Sequence, residues 1–320
     1  VARVLFFFVD GVGLGADDAT NNPFAAPHLP TLTALAGGQR WLNTAEAAHT
    51  DVASFRPVDA TLGVEGTPQS ATGQATIMTG QNVPAAIGRH YGPKPTESIR
   101  EVIDRANLID TLTKNGLRCG ILNAYPSGFF DRYERGKMLL SSNQYALHSA
   151  GVPLQDGMAF YEGRAVSVDY TGEMWFKRVA ANDAAWAVWR DKMGRDKPAD
   201  LSPREAGHRM AKLARGYDFA FFDQWLTDYF GHRGTLADGI GLLKRTDEVF
   251  AGLLEACDLD DTLIVLTSDH GNLEDINARG HTVNKVPALA VGRGHAGFLD
   301  GVRSLTDIAP AVAGWFGVKH

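Results

Sequence analysis

Five uninterrupted apolar runs of strand length recur along the chain: VLFFFV (4–9), CGILNAY (119–125), FAFFDQW (219–225), TLIVLTS (262–268) and VPALAVG (286–292). A strand with one face in water alternates apolar and polar residues. An unbroken apolar run is what a strand buried on both faces requires. Between the runs lie helical patterns at 107–115, closed by Gly116, at 203–214 and at 236–256, with SLTDIAPAVAGWF (304–316) at the end. Strands alternating with helices predict an α/β fold. Its centre is a doubly wound, mostly parallel sheet with helices on both faces.

Residues 127–200 break this rhythm. They hold GFFDRYERGK, a candidate hairpin around Gly163 and a Trp-rich helical stretch, AANDAAWAVWRDKMG. The expectation is a single domain, 1–320, carrying an insertion or lid at about 127–200. Trp186 and Trp189 are three apart, so they share one helical face, and packing is their plain reading.

Ligands of open parallel sheets bind beyond the carboxyl ends of the strands. The residues at those positions are therefore the informative ones. Asp10 follows the first run; Asp228 and His232 follow the third in TDYFGHRG; Asp269 and His270 end the fourth; His281, in GHTVNKVP, precedes the fifth. Each alone could be a turn residue, a helix cap or a surface histidine. Together they bring three aspartates and three histidines toward one edge of the sheet. Carboxylate oxygen with imidazole nitrogen suits Zn²⁺ or Mn²⁺. Asp228 and His232 are one helical turn apart.

The opening DGVGLG offers a competing reading as a dinucleotide-binding turn. It fails on spacing: Ala16 stands where the third glycine belongs, and no acidic residue closes a second strand some 20 residues on.

Composition narrows the function. The net charge is −6 and no long basic run occurs, so a nucleic-acid polymer is not an expected partner. Cys119 and Cys257, the two cysteines, are too few for a disulfide framework. The apolar start, residues 1–9, is too short to span a bilayer and lacks a small-residue cleavage site. A cytoplasmic protein without membrane association is the expectation.

Five motifs in order resemble the alkaline phosphatase superfamily: Asp10-Gly11 after the first strand, the hydroxyl-bearing TPQSATGQATIMTG (67–80), DYFGH (228–232), TSDHGN (267–272) and HTVNKVP (281–287). The likeness is to the core of cofactor-independent phosphoglycerate mutase, phosphopentomutase and the nucleotide pyrophosphatase/phosphodiesterases, over about 1–125 and 203–316. The resemblance implies two divalent ions. One is held by Asp228, His232 and His281. The other is held by Asp10, Asp269, His270 and the nucleophile oxygen. It also implies that nucleophile. Mutase-type counting and phosphodiesterase-type counting, the latter from Thr79-Gly80, both land on Ser70.

Two departures stand out. Gln74 replaces a usual histidine. In addition, the place of a phosphate-contacting Asn falls in GRHYG, with Arg89, His90 and Tyr91. Asn272 and Thr282 flank the ligands and are expected to support them; Lys285 reads as a solvated lysine. The resemblance implies a phosphatase or phosphodiesterase acting through a phosphoserine at Ser70 on a small-molecule phosphate ester. A phosphomutase is the alternative and a catalytically silent metal-binding protein the lesser one. The small insertion favours hydrolysis. QSATGQ lacks the sulfatase pattern.

Overall fold

The computed structural model describes residues 2–178, 183–193 and 201–320. Its centre is a seven-stranded sheet, in the order β2-β3-β7-β6-β1-β5-β4. The strands are β1 (Arg3–Val9), β2 (Ala48–His49), β3 (Ala53–Val58), β4 (Cys119–Ile121), β5 (Phe219–Gln224), β6 (Thr262–Thr267) and β7 (Val286–Gly292). β4, β5, β1 and β6 are parallel neighbours; β6-β7, β7-β3 and β3-β2 pair antiparallel.

The apolar runs are continuous because the sheet separates two cores. On β1, Val4, Phe6 and Phe8 join one cluster, and Leu5, Phe7 and Val9 join the other. The first cluster takes in the helices Ser70–Thr79, Glu97–Ala106, Leu108–Lys114 and Ile308–Trp315. The second takes in Pro30–Leu35, Pro203–Ala214 and Leu236–Ala256. The expected doubly wound α/β fold is therefore present.

Local signals set the long helices. Ser202 with Glu205, and Thr235 with Asp238, form capping boxes, and Pro203 opens its helix where no amide bond is lost. Pro203–Ala214 and Leu236–Ala256 cross at glycines: a Cβ on Gly207 would stand 2.8 Å from the Leu253 nitrogen.

The antiparallel flank is the part the apolar runs did not signal. β3 reads ASFRPV, and Arg56-Pro57 interrupts it. The proline is tolerated because β2 pairs only with Ser54 and Phe55, leaving the rest of β3 without an outer neighbour.

Within 127–200, packing divides the segment. The Ser142–Ser149 helix joins the core: Ser142 Oγ donates to Ala71 O at 2.7 Å and Asn107 Nδ2 to Ala146 O at 2.7 Å. The hairpin expected around Gly163 does not form. Asp156 caps a short helix, Gly157–Tyr161, and Val166 then runs parallel to Asn123. Phe160, Tyr161, Trp175 and Trp189 make a separate aromatic cluster, against which Trp186 packs. Trp186 and Trp189 stack on each other at 5.5 Å, so the packing reading holds for both. Part of the expected lid, 179–182 and 194–200, lies outside the described residues. Cys119 and Cys257 are free thiols.

Candidate metal centre

The carboxyl edge of the sheet gathers the candidate ligand residues. Asp10 leaves β1, and Gly11 turns the chain at φ +66°. Its amide faces Asp269 Oδ1 at 3.2 Å. Asp228 and His232 lie on the Leu226–Arg233 helix after β5, and Asp269-His270 follow β6. His281 precedes β7. Because β7 runs antiparallel to β6, its start lies beside the end of β6. A parallel β7 would have carried His281 to the opposite edge.

Two ligand groups result: Asp228, His232 and His281, and the buried trio Asp10, Asp269 and His270. In the first, the Nε2 atoms of His232 and His281 stand 3.1 Å apart, each 3.5 Å from Asp228 Oδ1. Their Nδ1 atoms face backbone carbonyls, Arg279 O at 3.0 Å and Pro68 O at 2.8 Å. Donation from Nδ1 leaves Nε2 as a lone pair, the form a metal takes. In the second, His270 Nε2 stands 3.3 Å from Asp10 Oδ1 and 3.5 Å from Asp269 Oδ2.

The residues fit cations. Asp10 Oδ1 and Asp269 Oδ2 are buried oxygens without a hydrogen-bond partner among the described residues. Two imidazole lone pairs facing each other at 3.1 Å also need a positive centre between them.

The electrostatics agree. Burial, then the charges of Asp269 and Asp228, pushes Asp10 up to about 7. Burial raises Asp269 to about 6 against the pull of His270. Burial opposes the charge on His270, but Asp269 and Asp10 outweigh it and raise the imidazole to about 10. Burial also works against Asp228. His281 close beside it, the charge of His270 and the bond from Asn272 override it and hold this carboxyl near 2.

Ser70 begins the Ser70–Thr79 helix, whose N-cap residue Gln69 supplies no side-chain cap. Its Oγ lies 2.9 Å from His270 Nε2. Gln74, one turn on, donates to Asp10 Oδ2 at 3.1 Å. It therefore braces a ligand. Asn272 Nδ2 does the same for Asp228 Oδ1 at 2.6 Å.

Both groups open onto a cleft of about 1190 Å³ lined by Asp10, Ser70, Gln74, Lys94, Asp223 and Asp228, among others. Arg89, His90 and Tyr91 line a separate depression, together with Gln69. There Arg89 sits over the Tyr91 ring. Lys94, which lines the cleft together with Arg132 and Arg233, was missed by sequence reasoning; a single lysine in YGPKP carries no signal. Burial lowers its pKa, with Asp223 and Asp10 working the other way. Asp223 was also missed, being hidden as the one charge in an apolar run. Its Oδ1 is buried without a partner among the described residues, and burial, with Asp10, pushes it up to about 8.

The sheet and the helices around it form an alkaline phosphatase-like fold, as the sequence motifs implied. Residues 194–320 match the family described as "Metalloenzyme superfamily". Among curated relatives, 2,3-bisphosphoglycerate-independent phosphoglycerate mutase of Desulforudis audaxviator is 30% identical over 129 residues, 38% of this chain and 25% of the relative. Phosphopentomutase of Shewanella denitrificans is 32% identical over 114 residues, 35% of this chain and 26% of the relative. The matches thus span about a quarter of those relatives' length. Solved structures show the fold across the whole chain. The PH0037 protein of Pyrococcus horikoshii aligns at TM-score 0.55 with 15% identity, covering 99% of this chain and 97% of that one. Alkaline phosphatase from the Antarctic bacterium TAB5 aligns at 0.54 with 13% identity, covering 99% and 98%. Among the described residues, no helix is long and apolar enough to cross a membrane.

Proposed function

We propose that this chain hydrolyses small-molecule phosphate esters with Ser70 as nucleophile. The observation that carries the reading is the position of Ser70 Oγ, at a helix N-terminus and 2.9 Å from His270 Nε2, beside both ligand groups. Asp228, His232 and His281 would hold one divalent ion, and Asp10, Asp269, His270 and Ser70 the other, with Zn²⁺ or Mn²⁺ suited to these donors. When bound, such ions supply Lewis-acid stabilisation of phosphoryl charge and lower the pKa of a coordinated hydroxyl or water.

The chain's own residues do the rest. The amides opening the Ser70–Thr79 helix favour the ester's anionic group. Lys94 offers its ammonium to a phosphoryl oxygen from across the cleft. Ser70 Oγ, its proton lost to solvent, attacks phosphorus in line and becomes a phosphoserine as the ester oxygen departs and takes up a proton; water then splits the phosphoserine, its oxygen leaving with the phosphate and a proton returning to Ser70 Oγ. We read the chain as one domain and the cytoplasm as its compartment. Of the 127–200 insertion, the described stretches 157–178 and 183–193 are read as a small cover beside the cleft. A cover of that size supports hydrolysis over a mutase, which must retain its intermediate while it turns.

Release of p-nitrophenol from p-nitrophenyl phosphate and from bis-p-nitrophenyl phosphate, with Mn²⁺ or Zn²⁺, tests the reading and separates monoesterase from diesterase. Isomerisation of phosphoglycerate or a pentose phosphate without phosphate release would instead establish the phosphomutase alternative, which the names of the curated relatives favour. Ser70→Ala is expected to abolish turnover while divalent ions still bind; full activity in that variant removes Ser70 as nucleophile.

A further inference from the structure

Two glycines of DGVGLG, Gly13 and Gly15, are unexplained by a nucleotide turn, and one buried side chain explains them. Glu274 is 2% exposed and lies just past the Asp269-His270 loop. Its Oε2 accepts from the amides of Gly13 at 2.9 Å and Asn272 at 2.8 Å. Its Oε1 accepts from Thr282 Oγ1 and from Asn284 Nδ2 at 3.0 Å. These four donors come from three separate loops, which carry Asp10, Asp269 with His270, and His281. Backbone bonds join the same loops: Leu273 N to Gly11 O at 2.9 Å and Thr282 N to Gly271 O at 2.9 Å. A Cβ at Gly13, Gly15 or Gly271 would collide with the Glu274 side chain. The glycines are therefore the space this carboxylate occupies.

We propose that Glu274 is a positioning residue for both metal pockets, a single carboxylate that locks three ligand-bearing loops in register. The proposal rests on the two-metal reading above. Its physical basis is that every group facing Glu274 is a donor. A carboxylate accepts at each oxygen; an amide of the same shape turns an NH₂ toward two donors. Residues that hold metal ligands from behind commonly set affinity about 10- to 100-fold.

The test is isothermal titration of the chelator-stripped full chain with Mn²⁺, wild type against Glu274→Gln. Leu253→Ala, in the core behind the sheet, serves as a control for general destabilisation once its Tm loss is known. The expected result is affinity about 10-fold or more weaker at both sites in Glu274→Gln and unchanged in Leu253→Ala. A residue that merely filled space would be replaced by Gln without effect on affinity. Unchanged binding in Glu274→Gln, weakening at one site only, or equal weakening in Leu253→Ala overturns the proposal while leaving the two-metal reading intact. A wild-type chain that binds no divalent ion overturns both. If Glu274→Gln does not fold, Thr282→Val removes one of the four bonds. It is then expected to weaken one site by about fivefold, and unchanged affinity there overturns the proposal.

Discussion

The hydroxyls of TPQSATGQATIMTG separate once their partners are known. Thr76 and Thr79 donate back to Thr72 O and Ala75 O of their own helix at 2.8 and 2.7 Å, and Thr72 to Gln69 O at 3.1 Å. Those hydroxyls serve the backbone. Ser70, at the start of the helix, alone faces His270. Lys94 is the second residue to carry a prediction. Lys94→Met is expected to lower kcat/KM about 10²- to 10³-fold and to weaken inhibition by inorganic phosphate, read in steady-state kinetics. Unchanged phosphate inhibition would remove Lys94 from the phosphoryl site. Asp223 supplies a pH prediction. Its folded pKa, about 8, lies above the ordinary 3.8, so the folded chain keeps a proton that the unfolded chain releases. Its contribution to stability is whole below about 4 and is lost as pH rises to about 8. In chelator-treated protein, Asp223→Asn should therefore raise Tm at pH 9 and leave it unchanged at pH 4, as followed by circular dichroism.

Among the elements, the paired helices Pro203–Ala214 and Leu236–Ala256 show how close approach is written into sequence. Gly207 and Gly252 sit where backbones meet, and a Cβ on Gly252 would collide with Arg204 O. Gly252→Ala is expected to cost about 1–3 kcal/mol in a denaturant melt. Because this pair packs behind the sheet, metal affinity should stay as in wild type. Both helices were legible from their helical pattern, as were the five apolar runs. β3 was not, because Arg56 and Pro57 break its pattern. The helix at Gly157–Tyr161 was hidden too: AFYEGRAVSVDY has hairpin-like β-formers around a glycine, and the Asp156 cap with tertiary packing overrode that local preference.

For the whole molecule, the ligand groups concentrate negative charge in a buried place, and the fold tolerates this best with cations present. Stripping metal with a chelator is expected to lower Tm, and adding Mn²⁺ or Zn²⁺ to restore it in a concentration-dependent way. A Tm indifferent to both would argue against occupied sites. The motif residues Asp10, Asp228, His232, Asp269, His270 and His281 were all legible because each abuts an apolar run or a turn of distinctive composition. Lys94, Asp223 and Glu274 were not, since a lone charge in a loop or strand has no pattern until its neighbours are known.

What the sequence determined by itself was the two-faced burial of the strands and the identity of the candidate donors, because periodicity and residue chemistry are local properties of the chain. What only the tertiary structure decided was direction and company. The antiparallel course of β7 brings His281 to the same edge as Asp269. The turn of Gly92-Pro93-Lys94 places a lysine in the cleft while Arg89 stays out of it. Three distant loops converge on Glu274. These depend on contacts such as that of Gly13 with Glu274, 261 residues apart, and no local pattern encodes which of them meet.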